Sequence, residues 1–554
     1  MKTKTLLVSS FFLILIINIT FGIVHSDNFN EFRIPNKVVK SLCKDTDDHK
    51  LCHDVLYPVK TSNPIDYIDV VVKNLMESVE NAFNDMSNKL SSMENNESNN
   101  LGIKMALEDC KDMLQFAINE LKASKVIITE SSSIRSIHNR SVELKNLFGA
   151  VIAYQQSCLD GFSDTKSDNN KAMLHLQTDN YLDNVGKLTG LALDVVSEIS
   201  HSTNVKSLVD NEGYPTWFSV DDRKLMAMGP IGATDNDVLV TVAKDGSGQY
   251  KTIVDAINAY PNNHQGRYII YTKSGVYDEY IFVDKDKPNV FMFGDGPTKT
   301  IITGSKSFLQ GIKTMRTATF STVAEGFVAR GIAFENTAGP RGHQAVAVRV
   351  QGDRSAFYDC IFRGYQDTLY VHAHRQYYRN CEISGTVDFI FGYSSTLIQD
   401  SKIILRMPYP HQNNTIVADG TEQKNMPTGI VVQNCVILAE AELLRNKLKV
   451  KSYLARPWKE YSRAVFIENV IGDVIQPEGY IPWTGEYPNI ENSYMAEFGN
   501  SGEGAGVERR VDWAKGLISK EEAFQFTAAQ FIQANTWLPI TGIPFYNGFI
   551  REIN

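Results

Sequence analysis

The hydrophobic period of this chain changes once, and that change dictates two folding units of unlike class. From about residue 30 to 200, apolar side chains recur every three or four positions, the repeat of one helix face. From about residue 237 the stripes give way to short Val, Ile and Phe runs between Gly, Asn and Asp. Here a dipeptide recurs ahead of the runs: Asp359-Cys360, Asn380-Cys381, Asp400-Ser401 and Asn434-Cys435, at steps of 21, 20 and 34 residues. One apolar strand per unit of that length means a solenoid. The expectation is a right-handed parallel β-helix whose coils stack repeat on repeat, with a loop protruding where the step lengthens. A β-sandwich is the alternative, but it would show turn signals about every 8–12 residues.

The first half reads as a four-helix bundle. Asn63-Pro64 is a start signal, with Asn as cap and Pro at the first helical position. Stripes follow from Ile68 to Leu90, Ile103 to Leu121, Leu144 to Cys158 and Leu182 to Ile199, joined by polar loops. They carry no cluster of Glu and His, so a packing or binding module without chemistry is expected. Cys43 and Cys52 close a small polar loop, while Cys110 and Cys158 lie on helical stripes. Four cysteines allow three pairings; Cys43–Cys52 and Cys110–Cys158 is the pairing we favour, against four free buried thiols.

A length of 554 residues suits two or three such units. With 43% apolar and 21% charged residues, disorder and collagen are excluded. The net charge of −9 shows no basic excess, so no nucleic-acid partner is expected. Residues 1–26 read as an export signal: Lys2 and Lys4 precede the apolar run Leu6 to Ile17. A retained anchor is the alternative, since Ile19 to Val24 extends the run. Either way the rest faces a secretory lumen, where disulfides form and the sequons at Asn96, Asn139 and Asn413 become usable.

The chain lacks Gly-x-Ser-x-Gly, His-Glu-x-x-His, Cys-x-x-Cys and phosphate-binding glycine loops, which disfavours a serine esterase of the elbow type and the common zinc sites. Two carboxylates stand out among apolar and aromatic neighbours. Asp367 lies in Gln366-Asp367-Thr368-Leu369, and Asp388 in Val387-Asp388-Phe389-Ile390-Phe391-Gly392, which reads as an acid inside a core strand. Burying an unpaired Asp costs several kcal/mol, so each needs a partner or a job. They are 21 residues apart, one coil, and should stack closely enough to perturb each other and divide into nucleophile and proton donor. Gln344 and Gln366, 22 apart, add amide donors, and Leu454-Ala455-Arg456-Pro457-Trp458 adds a cation on what reads as a stiff turn beside an indole. Each element alone reads as well as a turn acid, an amide ladder or a surface stack. Their convergence at coil spacings points to a site.

These motifs, with Gly275-Val276-Tyr277-Asp278-Glu279 and Gln344-Ala345-Val346-Ala347-Val348, resemble in order and spacing the plant pectin methylesterases across residues 237–554. The helical half resembles the invertase/pectin methylesterase inhibitor domain, including its four cysteines. The resemblance implies hydrolysis of galacturonate methyl esters in cell-wall pectin, without metal or organic cofactor. Asp388 is then the nucleophile, Asp367 the acid and base, and Gln344 and Gln366 the oxyanion donors. Arg456 holds Asp388 ionised and oriented and can contact the sugar acid, Trp458 offers an apolar face for a sugar ring, and Thr314 matches a substrate-contacting threonine.

The resemblance further implies a pro-enzyme, secreted to the cell wall. Residues 27–205 form an autoinhibitory or chaperoning pro-domain, and residues 206–236 a linker. A subtilisin-like protease cuts the linker at Arg223-Lys224-Leu225-Met226, releasing a monomeric catalytic unit that a separate inhibitor of the same helical type can bind. Two departures stand out: Ala455 replaces the usual Gly, and Ser401 replaces a cysteine that would pair with Cys381, leaving that thiol free. Cys360 and Cys435 lie too many coils apart to pair. A polysaccharide lyase is the competing reading, but it would need a cluster of acids for Ca²⁺; a non-catalytic binding or inhibitory protein is the third, best suited to the helical half alone.

Overall fold

The computed structural model describes residues 37–94, 101–163, 181–202, 237–483 and 489–551. The export segment, the sequon at Asn96 and the processing motif Arg223-Lys224-Leu225-Met226 lie outside the described residues.

The helical half comprises α1 (His49–Leu56), α2 (Pro64–Glu94), α3 (Leu101–Glu130), α4 (Ile134–Asn139), α5 (Ser141–Ser163) and α6 (Tyr181–Ser202). The start of α2 follows from its first residues: Pro64 opens the helix, and the Ile65 N–H donates to Asn63 Oδ1 at 3.3 Å. The four long helices close a ring in which α2 packs on α3 and α6, and α5 packs on the same two. Their stripes are buried inside it, including Ile68, Leu75, Leu114, Val151 and Val195. Cys110–Cys158 joins α3 to α5, and Cys43–Cys52 closes the loop ahead of α1.

Among the described residues the second half forms parallel sheets of eleven, seven and eight strands. Except at the ends of the eleven-stranded sheet, neighbours within a sheet are every third strand in sequence, so the chain visits each face once per coil. That is a parallel β-helix. The recurring dipeptide makes one corner of each coil. Asp359, Asn380, Asp400 and Asn434 all have φ between 50° and 53°, a left-handed conformation that Asp and Asn tolerate better than other side chains do. The strands after them align as Ile361, Glu382, Lys402 and Val436 on successive coils. The small residue next in line turns inward. Cys360, Cys381 and Cys435 are free buried thiols, and Ser401 fills the missing rung, its Oγ accepting the Cys381 N–H at 3.0 Å.

The seven-stranded sheet carries the chemistry. Its strands are β1 (Ile281–Val283), β2 (Phe320–Thr322), β3 (Val348–Val350), β4 (Leu369–Val371), β5 (Ile390–Gly392), β6 (Asn414–Asp419) and β7 (Ser452–Pro457), lying side by side in that order. Two local expectations need correction. Asp388 is not inside a strand: its φ is 49° and β5 begins two residues later. Arg456 is on β7 rather than on a turn. Ala455 sits in the same strand without a positive φ, so the residue needs no glycine there.

The bundle packs against this sheet through α3 and α5, and its apolar core runs without a break into Val346, Tyr370, Phe391 and Tyr393 of the β-helix. Close stacking of coils leaves little room at their corners. Gly392 has φ 147°, and a Cβ there would lie 1.9 Å from the Val371 carbonyl oxygen. Gly392→Ala should therefore destabilise the β-helix by ~2–4 kcal/mol. A shift of the urea midpoint at unchanged slope measures it, and an unmoved midpoint would refute the packing argument.

Candidate active site

The turns entering β3, β4 and β5 bring the expected polar residues to one place. Asp367 and Asp388 each stand two residues ahead of a strand, with φ of 64° and 49°. Those strands pair in register, Leu369 with Ile390, and the Asp367 N–H donates to the Val387 carbonyl at 3.0 Å. The acids are therefore neighbours on adjacent coils. Gln344 stands one coil earlier, where the Ala345 N–H donates to the Gln366 carbonyl at 3.2 Å.

Asp388 is 6% exposed, and its burial is compensated by charge and hydrogen bonds. Arg456 donates through Nε to Oδ1 at 2.7 Å and through Nη2 to Oδ2, a bidentate ion pair. Thr415 on β6 donates its hydroxyl to Oδ1 at 2.6 Å, while the Asp388 N–H donates to Thr415 Oγ1 at 2.9 Å. Burial would lower the Arg456 pKa, but the Asp388 charge outweighs it and raises it. The guanidinium also lies 4.2 Å from the centre of the Trp483 ring. Its plane is thus fixed on two sides.

Gln344, Gln366, Asp367, Asp388 and Arg456 line a cavity of about 400 Å³ with Thr314, Tyr370, Phe391, Trp458 and Trp483. Tyr370 and Phe391 stack on adjacent coils, centroids 4.4 Å apart, a flat surface beside the acids. Gln366 is oriented by a neighbour. The Tyr409 N–H donates to Gln412 Oε1 at 3.2 Å, and Gln412 Nε2 donates to Gln366 Oε1 at 3.4 Å. Because a backbone N–H can only donate, this order leaves the NH₂ of Gln366 for the cavity. Among the described residues no group of three or more His, Cys, Asp or Glu could hold a metal ion.

The bundle forms the roof. Asp109 on α3 and Ser157, Asp160 and Gly161 on α5 line the same cavity. Asp109 pairs with Arg316, and Asp160 accepts from Lys459 at 2.9 Å and from the Tyr393 hydroxyl. Burial pushes the Asp109 carboxyl up to about 6, although Arg316 opposes it. Beside the cavity, Arg349 Nε donates to His372 Nδ1 at 3.0 Å, so the His372 proton sits on Nε2 and is donated to Ser157 Oγ at 2.8 Å. Burial, and then Arg349, keeps that imidazole neutral by lowering its pKa.

Sequence reasoning missed Thr415, Trp483, Gln412, Arg316 and Lys459. Thr415 had a signal, but Asn413-Asn414-Thr415 was legible first as a sequon. Asn413 is exposed and Asn139 half-buried at the end of α4.

A model of the pectinesterase family matches residues 239–535, and one described as plant invertase/pectin methylesterase inhibitor matches residues 37–195. The chain is 37% identical over 558 residues to putative pectinesterase/pectinesterase inhibitor 28 of Arabidopsis thaliana, spanning 98% of this chain and 74% of that protein. It is 40% identical over 517 residues to probable pectinesterase/pectinesterase inhibitor 13 of the same plant, spanning 92% and 82%. Among solved structures, a pectin methylesterase from carrot superposes with a TM-score of 0.55 at 45% identity, over 58% of this chain and 99% of that one.

The hydroxyl of Thr415 gives one further expectation. Thr415→Val keeps the volume and removes the donor to Asp388 Oδ1. It should lower kcat roughly tenfold, since a hydrogen bond to a charged group is worth about 1.5–3 kcal/mol. Steady-state kinetics of a variant with parental melting behaviour tests it, and an unchanged kcat would remove Thr415 from the site.

Proposed function

The chain belongs to the pectinesterase family, carries an N-terminal domain of the plant invertase/pectin methylesterase inhibitor type and hydrolyses the methyl esters of pectin, and from that premise we propose that Asp388 is its nucleophile and Asp367 its acid and base. The observation that carries the assignment is the hydrogen-bonded grip of Arg456 and Thr415 on Asp388, one coil from a second buried acid. Oδ1 of Asp388 takes two donors and Oδ2 takes one, so Oδ2 is the freer oxygen to attack.

In the first step Asp388 Oδ2 bonds to the ester carbonyl carbon. The carbonyl electrons move onto oxygen, where the amides of Gln344 and Gln366 donate to it; one such donor can be worth ~10²–10³ in rate. The intermediate collapses by breaking the bond to the methoxy oxygen, which takes the proton of Asp367 and leaves as methanol. Water then attacks the acyl-enzyme and gives a proton to the Asp367 carboxylate. Collapse breaks the anhydride bond, returning Asp388 as carboxylate and leaving a uronic acid on the polymer, which ionises by releasing its proton to solvent. Thr314, Tyr370 and Trp458 offer contacts for the flanking sugars.

We further propose the domain limits 27–205, 206–236 and 237–554, secretion to the cell wall, and glycans at Asn96, Asn139 and Asn413. A subtilisin-like protease acts at Arg223-Lys224-Leu225-Met226, and the freed unit works as a monomer that separate helical inhibitors can bind. The bundle on the same polypeptide shuts the site before cleavage. Its side chains line the cavity that the sugar must enter, and tethering keeps its effective concentration high.

Asp388→Asn and Asp367→Asn should each abolish methanol release by the 237–554 unit on methyl-esterified pectin while the fold survives. Normal release by a folded Asp388→Asn protein would remove the covalent mechanism. Replacing Arg223 and Lys224 together by Ala should retain the full-length form in the secretory pathway. If that double variant is cut and active like the parent, the processing claim is wrong.

A further inference from the structure

The loop that follows β6 meets the bundle at a place the catalytic chemistry does not use. Nine residues, 420–428, lead from β6 to the strand Gly429–Gln433, whereas the preceding coil needs two, 393 and 394, between β5 and the strand Ser395–Gln399. This insertion is part of the long step from Ser401 to Cys435. The β-helix braces it. Thr421 and Thr428 join their hydroxyls at 2.8 Å, the Thr421 N–H donates to Asp419 Oδ1 at 3.0 Å, and Arg463 donates to the Met426 carbonyl at 3.3 Å. The Met426 N–H closes the tip onto the Gln423 carbonyl at 3.2 Å. Bonds within the catalytic half therefore set the shape of the loop.

Two helices of the bundle receive the tip, and each does so at a glycine. A Cβ on Gly190 of α6 would lie 2.9 Å from Gln423 Oε1, and the Gln423 side chain supplies all three of its nearest neighbours. A Cβ on Gly149 of α5 would lie 3.5 Å from Pro427 Cδ. Alanine fits there, but a branched side chain would meet a proline ring that cannot turn away. Glycine weakens a helix interior relative to alanine, so both helices give up stability where the loop arrives. Met426 is 2% exposed and joins the apolar core of the bundle. Asn425 donates to Asp194 of α6 at 2.8 Å. None of these residues lines the active-site cavity, so covering the cleft does not account for the contact.

We infer that the loop 420–428 is a recognition element for helical domains, and that the features it selects are Gly149, Gly190 and the Asp194 carboxylate. The partner it fits is a four-helix domain that is bare at those two points of neighbouring helices. The inference rests on the reading that the bundle shuts the site, and it separates two tasks. Residues of α3 and α5 cover the cleft, while the loop decides which bundle is admitted. Because the loop stays on the 237–554 unit after cleavage, the same selection applies to separate inhibitors of this helical type.

The test uses the full chain, purified uncut, beside the 237–554 unit, whose independent folding follows from the carrot structure, 99% of which is matched by 58% of this chain. Methanol release from methyl-esterified pectin is followed together with oxidation of Met426 by dilute peroxide, read by mass spectrometry. Met426 should be spared in the uncut parent and oxidised in the 237–554 unit. Gly190→Val and Gly149→Val should each raise release by the uncut chain roughly tenfold, the size of a modest overpacking cost, and expose Met426, with the helical circular dichroism unchanged. Adding Gln423→Ala to Gly190→Val removes the atoms that the new side chain meets. Both readouts should then return toward the parent, which a bundle merely damaged by valine would not do. Asn425→Ala, on the β-helix, should expose Met426 in the same direction should the valine variants fold poorly. Release and Met426 oxidation that stay within about twofold of the parent in the folded variants would overturn the inference, and so would a Gln423→Ala change that rescues nothing. If the uncut parent releases methanol as fast as the 237–554 unit, the reading that the bundle shuts the site falls instead, and Met426 oxidation still decides the inference.

Discussion

Hydrogen bonding between coils is the constraint on which the site depends. Side chains 20 to 22 residues apart become neighbours because each coil must satisfy its backbone groups against the next. The bond from the Asp367 N–H to the Val387 carbonyl is one such rung, and it sets a carboxylate on each of two adjacent turns. Separation of the acids is therefore a property of the solenoid repeat. Side-chain bonds only refine it. A left-handed φ at both aspartates then turns each carboxylate out of the stacked wall, which an extended residue at that position would not do.

The coil spacing was legible because it repeats: Asp359, Asn380, Asp400 and Asn434 mark the same corner in sequence and in space. The site acids were legible for the same reason, as charges out of place in an apolar repeat. What escaped were residues with no such contrast. Thr415 looks like any β-branched strand residue, and its value comes from facing Asp388 across one coil. Trp483 reaches Arg456 from 27 positions away, from a loop beyond the next coil's strands that carries no repeat signal. Asp388 itself was assigned to a strand because its neighbours are apolar, yet those neighbours point inward from a turn. Periodicity reports which side a residue faces; it is silent on where one sheet ends and the next begins.

Docking of the bundle is unusually polar for so buried a surface. Asp109, Asp160, His372, Arg349 and Arg316 lie at or beside it, and burial alone opposes the charge on Asp109, His372, Arg349 and Arg316. The structure answers with paired partners: Arg316 with Asp109, Lys459 with Asp160, Arg349 with a neutral His372. Such pairs add little net stability over apolar contacts, but a wrong partner would leave a charge stranded. They therefore select this bundle and this seating, while Tyr370, Phe391 and the helix stripes supply the apolar area.

That division explains how one surface can serve two occupants. An apolar platform edged by paired cations suits a helix face with acids, and the stacked faces of Tyr370 and Phe391 suit the flat rings of a sugar polymer. On the proposed reading, a tethered domain holds the cleft at high effective concentration with modest contacts, and cutting the tether would convert the same contacts into an ordinary bimolecular equilibrium against the polymer. On that proposal, inhibition and release differ in connectivity rather than in the chemistry of the interface.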